Sequence, residues 1–274
     1  MSALPQHVAL VSKSKTVNFS EITAVAAALN KQVTRDFGPI WEVTATVDGF
    51  ENLKHVPVDY WPVIVLDKLN DPNAGGYHQT KNGEPFSVVL VSDFPIAASH
   101  ETLEMLADPF GRRTIAGSPP PNSPSPISGF TRVNYLVEVC DPCEGEQFAY
   151  PVNGVNVSDF ITPHYYDPVS SQGVRYSFTG AIQEPHQVLE AGYVSFEDPA
   201  TSRWYQIFVE NGKVISQELP ANDLRQMPIR ETTDDAARKF RAKQPPKKAA
   251  KKAMGAVAGM SGRAAAIEEA LEKL

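Results

Sequence analysis

Ala98-Ser99-His100-Glu101-Thr102-Leu103-Glu104-Met105-Leu106-Ala107-Asp108-Pro109 is the stretch around which the rest of the chain is organised. With helical periodicity, His100, Glu104 and Asp108 stand four residues apart and project from nearly one face. Leu103, Met105, Leu106 and Ala107 supply apolar contacts that hold such a helix against a core. A buried helix carrying one imidazole and three carboxylates requires compensation, because unpaired charge is costly to bury. A metal ion is the simplest source of it. A solvated polar face capped by Ser99 is the other reading of the same residues.

The bulk composition narrows the classes. At 274 residues the chain can build one large domain or two smaller ones. Its net charge of -7 argues against a general nucleic-acid binder. The N-terminus lacks a charged-then-apolar signal pattern, and no run reaches the roughly 20 apolar residues of a membrane span. The expected location is therefore the cytoplasm. The two cysteines, Cys140 and Cys143, form a single Cys-x-x-Cys, which is too few thiolates for a four-cysteine zinc site. A redox pair and a local disulfide are the readings that remain, and the thioredoxin type of redox pair wants a strand-to-helix junction.

Outward from the motif, the patterns alternate between sheet and helix. Residues 7–12 (HVALVS) read as a first strand. Ile22, Val25, Ala26, Leu29 and Val33 recur at helical spacing behind Ser20 as N-cap, and that helix should stop before Gly38-Pro39. Residues 41–47 (WEVTATV) alternate like a half-buried strand, and 61–67 (WPVIVLD) suit a strand covered on both faces. Asn82-Gly83 between two extended runs predicts a hairpin, and Gly75-Gly76 predicts an exposed edge. The motif helix follows directly.

Residues 112–129 are rich in proline and read as a mobile surface loop. Beyond it come an acidic cluster at Glu138, Asp141, Glu144 and Glu146, a turn-rich stretch, and strands near 193–196, 204–209 and 213–216. The composition changes after Pro228. Residues 229–274 read as a flexible basic, alanine-rich tail, with a lysine cluster at 247–252 and a terminal helix at 263–274. The predicted organisation is α+β: a mixed sheet with backing helices and a metal-binding active-site helix, then a β-rich C-terminal part. One domain spans 1–228.

His100-Glu101-x-x-Glu104 differs at one position from the H-E-x-x-H of zinc peptidases, in which residues one turn apart bind metal and the intervening Glu polarises water. Together with the order of strands and helices, the run from Ser99 to Pro109 and the later Glu138-Val139-Cys140-Asp141 resemble the zincin-like proteins of bacteria and their phages. That resemblance implies a zincin-like fold, a Zn2+ ion or another divalent metal, His100 as first ligand, Glu104 as second and Glu101 as general base. A third ligand then comes from downstream, with Glu138 first and Asp141 second in order of preference. Asp108, two turns from His100, is expected to support the ligands or to tie the helix end.

His164 is the rival ligand, giving a two-His, one-carboxylate set that also suits non-haem iron. The acidic cluster also reads as a solvated turn or a calcium site. The edge strand near Gly76 and Tyr77 would pair with an extended substrate, and Tyr165 or Tyr166 would stabilise an oxyanion. The implied activity is zinc-dependent peptide hydrolysis on a peptide or protein substrate. The alternative is a zincin-derived structural or interaction module, a phage or assembly component, virion-associated, with a protein partner on the tail and a metal that holds the fold.

Overall fold

Val8, Ala9, Leu10 and Val11 form an unbroken apolar run, as do Val63, Ile64 and Val65, and strands of that kind lie inside a sheet covered on both faces. In the computed structural model, which describes residues 5–69, 75–219 and 229–243, both runs are fully buried. The architecture is mixed α+β. The sequence suggested one domain over 1–228. The described chain divides into two compact units, residues 5–69, 75–106, 151–157 and 241–243 in the first and 107–150, 158–219 and 229–240 in the second. No helix among the described residues is long and apolar enough to cross a membrane.

The first unit opens with β1 (Gln6–Ser12) and α1 (Phe19–Lys31). The cap of α1 is Asn18 rather than Ser20. Its side chain accepts from the Glu21 N–H at 3.0 Å, and Glu21 accepts from the Asn18 N–H at 2.9 Å, a reciprocal box that a serine inside the first turn does not provide. The helix also does not stop before Gly38-Pro39. It passes through a π turn (Gln32–Phe37) into α2 (Gly38–Trp41), where Pro39 sits in the first turn and its missing N–H costs little. Glu42, in the left-handed region at φ 56°, ends it. Trp41 thus closes a helix, and β2 is Ala45–Phe50.

β3 (Tyr60–Leu66), β4 (Gly76–Lys81) and β5 (Glu84–Leu90) follow, the last two joined through Asn82 and Gly83, both at positive φ as a tight hairpin requires. The sheet order is β2-β1-β3-β5-β4. The first four strands are parallel, and β4 lies antiparallel at the edge. The chain then enters α3 (Ile96–Ala107), the motif helix. Ser99 lies inside it and is no cap. Its hydroxyl donates to Gln32 Oε1 at 2.7 Å, with both residues fully buried. The π turn therefore begins at the residue that grips the first turn of α3. Ser99→Ala is expected to destabilise the protein by about 1–2 kcal/mol, read as a lower urea midpoint at unchanged slope.

The second unit holds β6 (Thr114–Gly117) and β7 (Val133–Leu136). Between them the proline-rich stretch is ordered where the sequence suggested mobility: Ile127 is fully buried, and the Tyr135 hydroxyl donates to Ser118 O at 2.6 Å. A short hairpin, β8 (Tyr150–Val152) and β9 (Val155–Val157), returns residues 151–157 to the first unit, where Lys31 Nζ donates to Asn153 Oδ1 at 3.0 Å. β10 (Tyr193–Asp198), β11 (Arg203–Glu210) and β12 (Lys213–Glu218) complete an antiparallel sheet in the order β12-β11-β10-β7-β6.

The segment read as a tail begins instead with α4 (Ile229–Ala242). Ile229 and Ala236 pack on Leu136, Trp204 and Leu219, and Phe240 stacks on Phe208 with ring centroids 3.9 Å apart. Gln206 Nε2 donates to Thr233 O at 2.8 Å and Gln217 Nε2 to Ala236 O at 3.2 Å, tying the helix backbone to β11 and β12. The lysine cluster and the terminal helix expected at 263–274 lie outside the described residues.

Candidate metal centre on the motif helix

α3 is driven inward by Ala98, Leu103 and Met105, all fully buried, and Ser87 Oγ on β5 lies 3.5 Å from Met105 Sδ. A helix seated this way has to carry its polar residues into the interior as well. Glu101 and Glu104 are 6% and 4% exposed. His100 and Glu104, one turn apart, bring Nε2 and Oε2 to 3.2 Å, and the His100 side chain keeps a partial opening to solvent at 14%.

Glu101 turns toward β4. Alternation along a strand puts Gly76 and His78 on one face, and both meet this glutamate. His78 Nδ1 lies 3.2 Å from Glu101 Oε2. A Cβ on residue 76 would stand 3.0 Å from both Cγ and Oε1 of Glu101, so the glutamate keeps this position only by the room that the glycine leaves. Tyr77 points the other way and packs against the cluster of Ala9, Val11, Ile64 and Val88. The predicted edge strand is thus an edge strand, but its glycine serves the carboxylate.

Donor atoms of His78, Glu101 and Glu104 all lie within 4.8 Å of one another, and all three residues are buried. Two carboxylates crowded in a low-dielectric site repel, and a divalent cation relieves that repulsion. An imidazole and carboxylate set without thiolate suits zinc, iron(II) or manganese. The residues present therefore fit a metal ion. His78 escaped the sequence reading because a lone histidine in a short polar strand carries no motif. Its two-residue spacing from Gly76 was the one available signal.

The other expected site residues belong to the second unit. Glu138 is buried and accepts from the Arg230 guanidinium. Asp141 is buried at the start of a 3-10 turn, Asp141–Cys143. Asp108 is buried, and its Oδ2 accepts from the Arg113 N–H at 2.7 Å, holding the turn after α3. His164 is exposed and pairs with Asp167 at 2.8 Å. Among the described residues it joins no group of three metal-capable donors. Cys140 and Cys143 are buried, one just before that 3-10 turn and one at its end, so no disulfide joins them and they do not stand at a strand-to-helix junction.

Tyr165 and Tyr166 pack in the core of the second unit. Tyr165 is fully buried, packed edge-on to Tyr135, Tyr166 and His186, and burial pushes its phenol well above the usual range. His186 stacks on Tyr135 at 5.3 Å, and its Nε2 has no hydrogen-bond partner among the described residues. Burial lowers its pKa to about 4, outweighing the attraction of Asp167. Below about pH 6.5 an unfolded histidine takes up a proton that the native one refuses. Native stability should therefore fall as pH drops from 6.5 to 4, by about 3 kcal/mol, and then level off as far as this residue is concerned. Urea midpoints of wild type and His186→Phe between pH 7.5 and 4 should show that slope only in the wild type.

Comparison of the chain with protein-family models, with curated protein sequences and with solved structures finds no match.

Proposed function

We propose that the first unit carries a zincin-like site for metal-assisted hydrolysis of peptide bonds, with His100 and Glu104 as metal ligands and Glu101 as general base. The observation that carries this reading is the convergence of His100 Nε2 and Glu104 Oε2 at 3.2 Å across one turn, with Glu101 buried beside them on the same helix. The mixed sheet with an antiparallel edge strand next to that helix supports it. A zinc ion held there would supply Lewis acidity toward the scissile carbonyl and make water more acidic. Glu101 then accepts the proton of the attacking water and returns it to the leaving nitrogen. β4 offers the sheet edge on which an extended peptide adds as a further strand.

The burial of His78, Glu101 and Glu104 favours a second reading, a closed metal site that only holds the fold of a structural or assembly module. Elemental analysis of the purified full chain separates the two when joined to cleavage assays on a mixed peptide library. One equivalent of metal, lost in His100→Ala, with cleavage lost in Glu101→Gln, is the expected result. Metal retained without Glu101-dependent cleavage leaves the structural reading. Absence of metal overturns both.

A further inference from the structure

The proposed chemistry uses His100, Glu101 and Glu104 and leaves His78 unassigned. Yet His78 is the most enclosed of the four, at 1% exposure, and the only one that comes from the sheet. An imidazole on an edge strand would ordinarily face water. Here the strand turns it inward onto Glu101, with Nδ1 and Oε2 at 3.2 Å, the long end of a hydrogen bond. The same face of β4 presents Gly76, whose missing side chain leaves the space that Cγ and Oε1 of Glu101 occupy. Two residues of one strand therefore bear on one carboxylate.

Building on the reading of Glu101 as general base, we infer that His78 is a positioning residue, holding that carboxylate at Oε2 while Gly76 makes room for Oε1. A general base must be ionised, and an ionised carboxylate only accepts hydrogen bonds, so the shared proton sits on Nδ1 of His78. A glutamate rotates about three side-chain bonds, and fixing it costs entropy that a partner at one oxygen offsets before substrate arrives. β4 thus has a second task beside offering a sheet edge: it sets the angle of the base. Gly76→Ala tests the other half of the device. Its Cβ would meet the glutamate at 3.0 Å and Val88 O at 3.1 Å, so the glutamate has to give by a few tenths of an ångström.

The first test needs neither metal nor substrate. In 15N imidazole spectra of the metal-free full chain, His78 is expected to carry its proton on Nδ1. A proton on Nε2 with Nδ1 bare overturns the proposal, since that nitrogen then has nothing to donate. The second test uses the zinc-loaded protein and a fluorogenic peptide drawn from the library. His78→Leu should lower kcat by 10- to 100-fold with KM and zinc content unchanged. His78→Asn, which keeps a donor, should recover most of the loss, and Gly76→Ala should lower kcat with zinc retained.

In the Glu101→Gln background, His78→Leu should cost nothing more. An equal loss in that background makes His78 merely structural, and loss of zinc in His78→Leu makes it a ligand. Either result overturns the positioning role. If Glu101→Gln leaves cleavage intact, or the wild type cleaves nothing, the hydrolase reading falls and the catalytic role of His78 falls with it. The tautomer still decides separately whether the contact exists.

Discussion

Glu101→Gln is expected to slow peptide hydrolysis by two to four orders of magnitude while the bound metal stays in place. The substitution is nearly isosteric, so the space over Gly76 stays filled and α3 keeps its seat. What disappears is an oxygen able to accept a proton from water. The ligands of the proposed centre, His100 and Glu104, are untouched, and zinc per chain should match the wild type. His100→Ala gives the opposite signature, with metal and activity lost together, because Glu104 is then the only one left of the two proposed ligands. The measurement is cleavage of a fluorogenic peptide alongside metal content on the same preparations. Activity in Glu101→Gln within tenfold of wild type would sink the base assignment.

Arg230→Met should destabilise the second unit by about 3–5 kcal/mol. Arg230 lies at the start of α4 and its guanidinium donates to Glu138, with both side chains 5% exposed. The same guanidinium reaches Asp108 O at 3.4 Å, and its Cβ lies where a side chain on Gly111 would stand, 2.6 Å away. Gly111, at φ 59°, is therefore held to glycine on two counts. Methionine keeps most of the volume but removes the charge that compensates a buried carboxylate. The cost is the desolvation of Glu138 without its guanidinium partner, more than the worth of one contact. Arg230→Met/Glu138→Leu should recover a large part of the loss, since a buried pair exchanged for apolar groups is often neutral. Urea unfolding of the two single variants and the double variant gives the coupling directly. A loss below 1 kcal/mol in Arg230→Met would show that water reaches the pair.

Much of this architecture is legible in the residues. The unbroken apolar runs of β1 and β3 announce central parallel strands, Asn82-Gly83 announces the hairpin, and the motif helix lies within two residues of its expected bounds. The rest depends on partners far along the chain. Trp41 alternates well enough for a strand, but a π turn carries the helix onward to include it. α4 looks like a solvated basic segment because charged residues outnumber its apolar stripe of Ile229, Ala236, Ala237 and Phe240. Only contact with Trp204 and Phe208 shows that the stripe has something to cover. For the site, His100, Glu101 and Glu104 are written in one helical turn. His78 is more than twenty residues away in sequence, and no local pattern links it to Glu101.

The chain crosses between its two units at four places: after Leu106, Tyr150, Val157 and Phe240. No single cut can therefore release either unit as a continuous polypeptide. A fragment ending at residue 106 would retain α3 up to Leu106 and the whole first sheet, yet it would lack residues 151–157 and the Asn153 contact to the end of α1. Dissection of this protein by truncation would report the damage of an unfinished unit, and the intact chain is the smallest piece on which the proposed metal chemistry can be fairly judged.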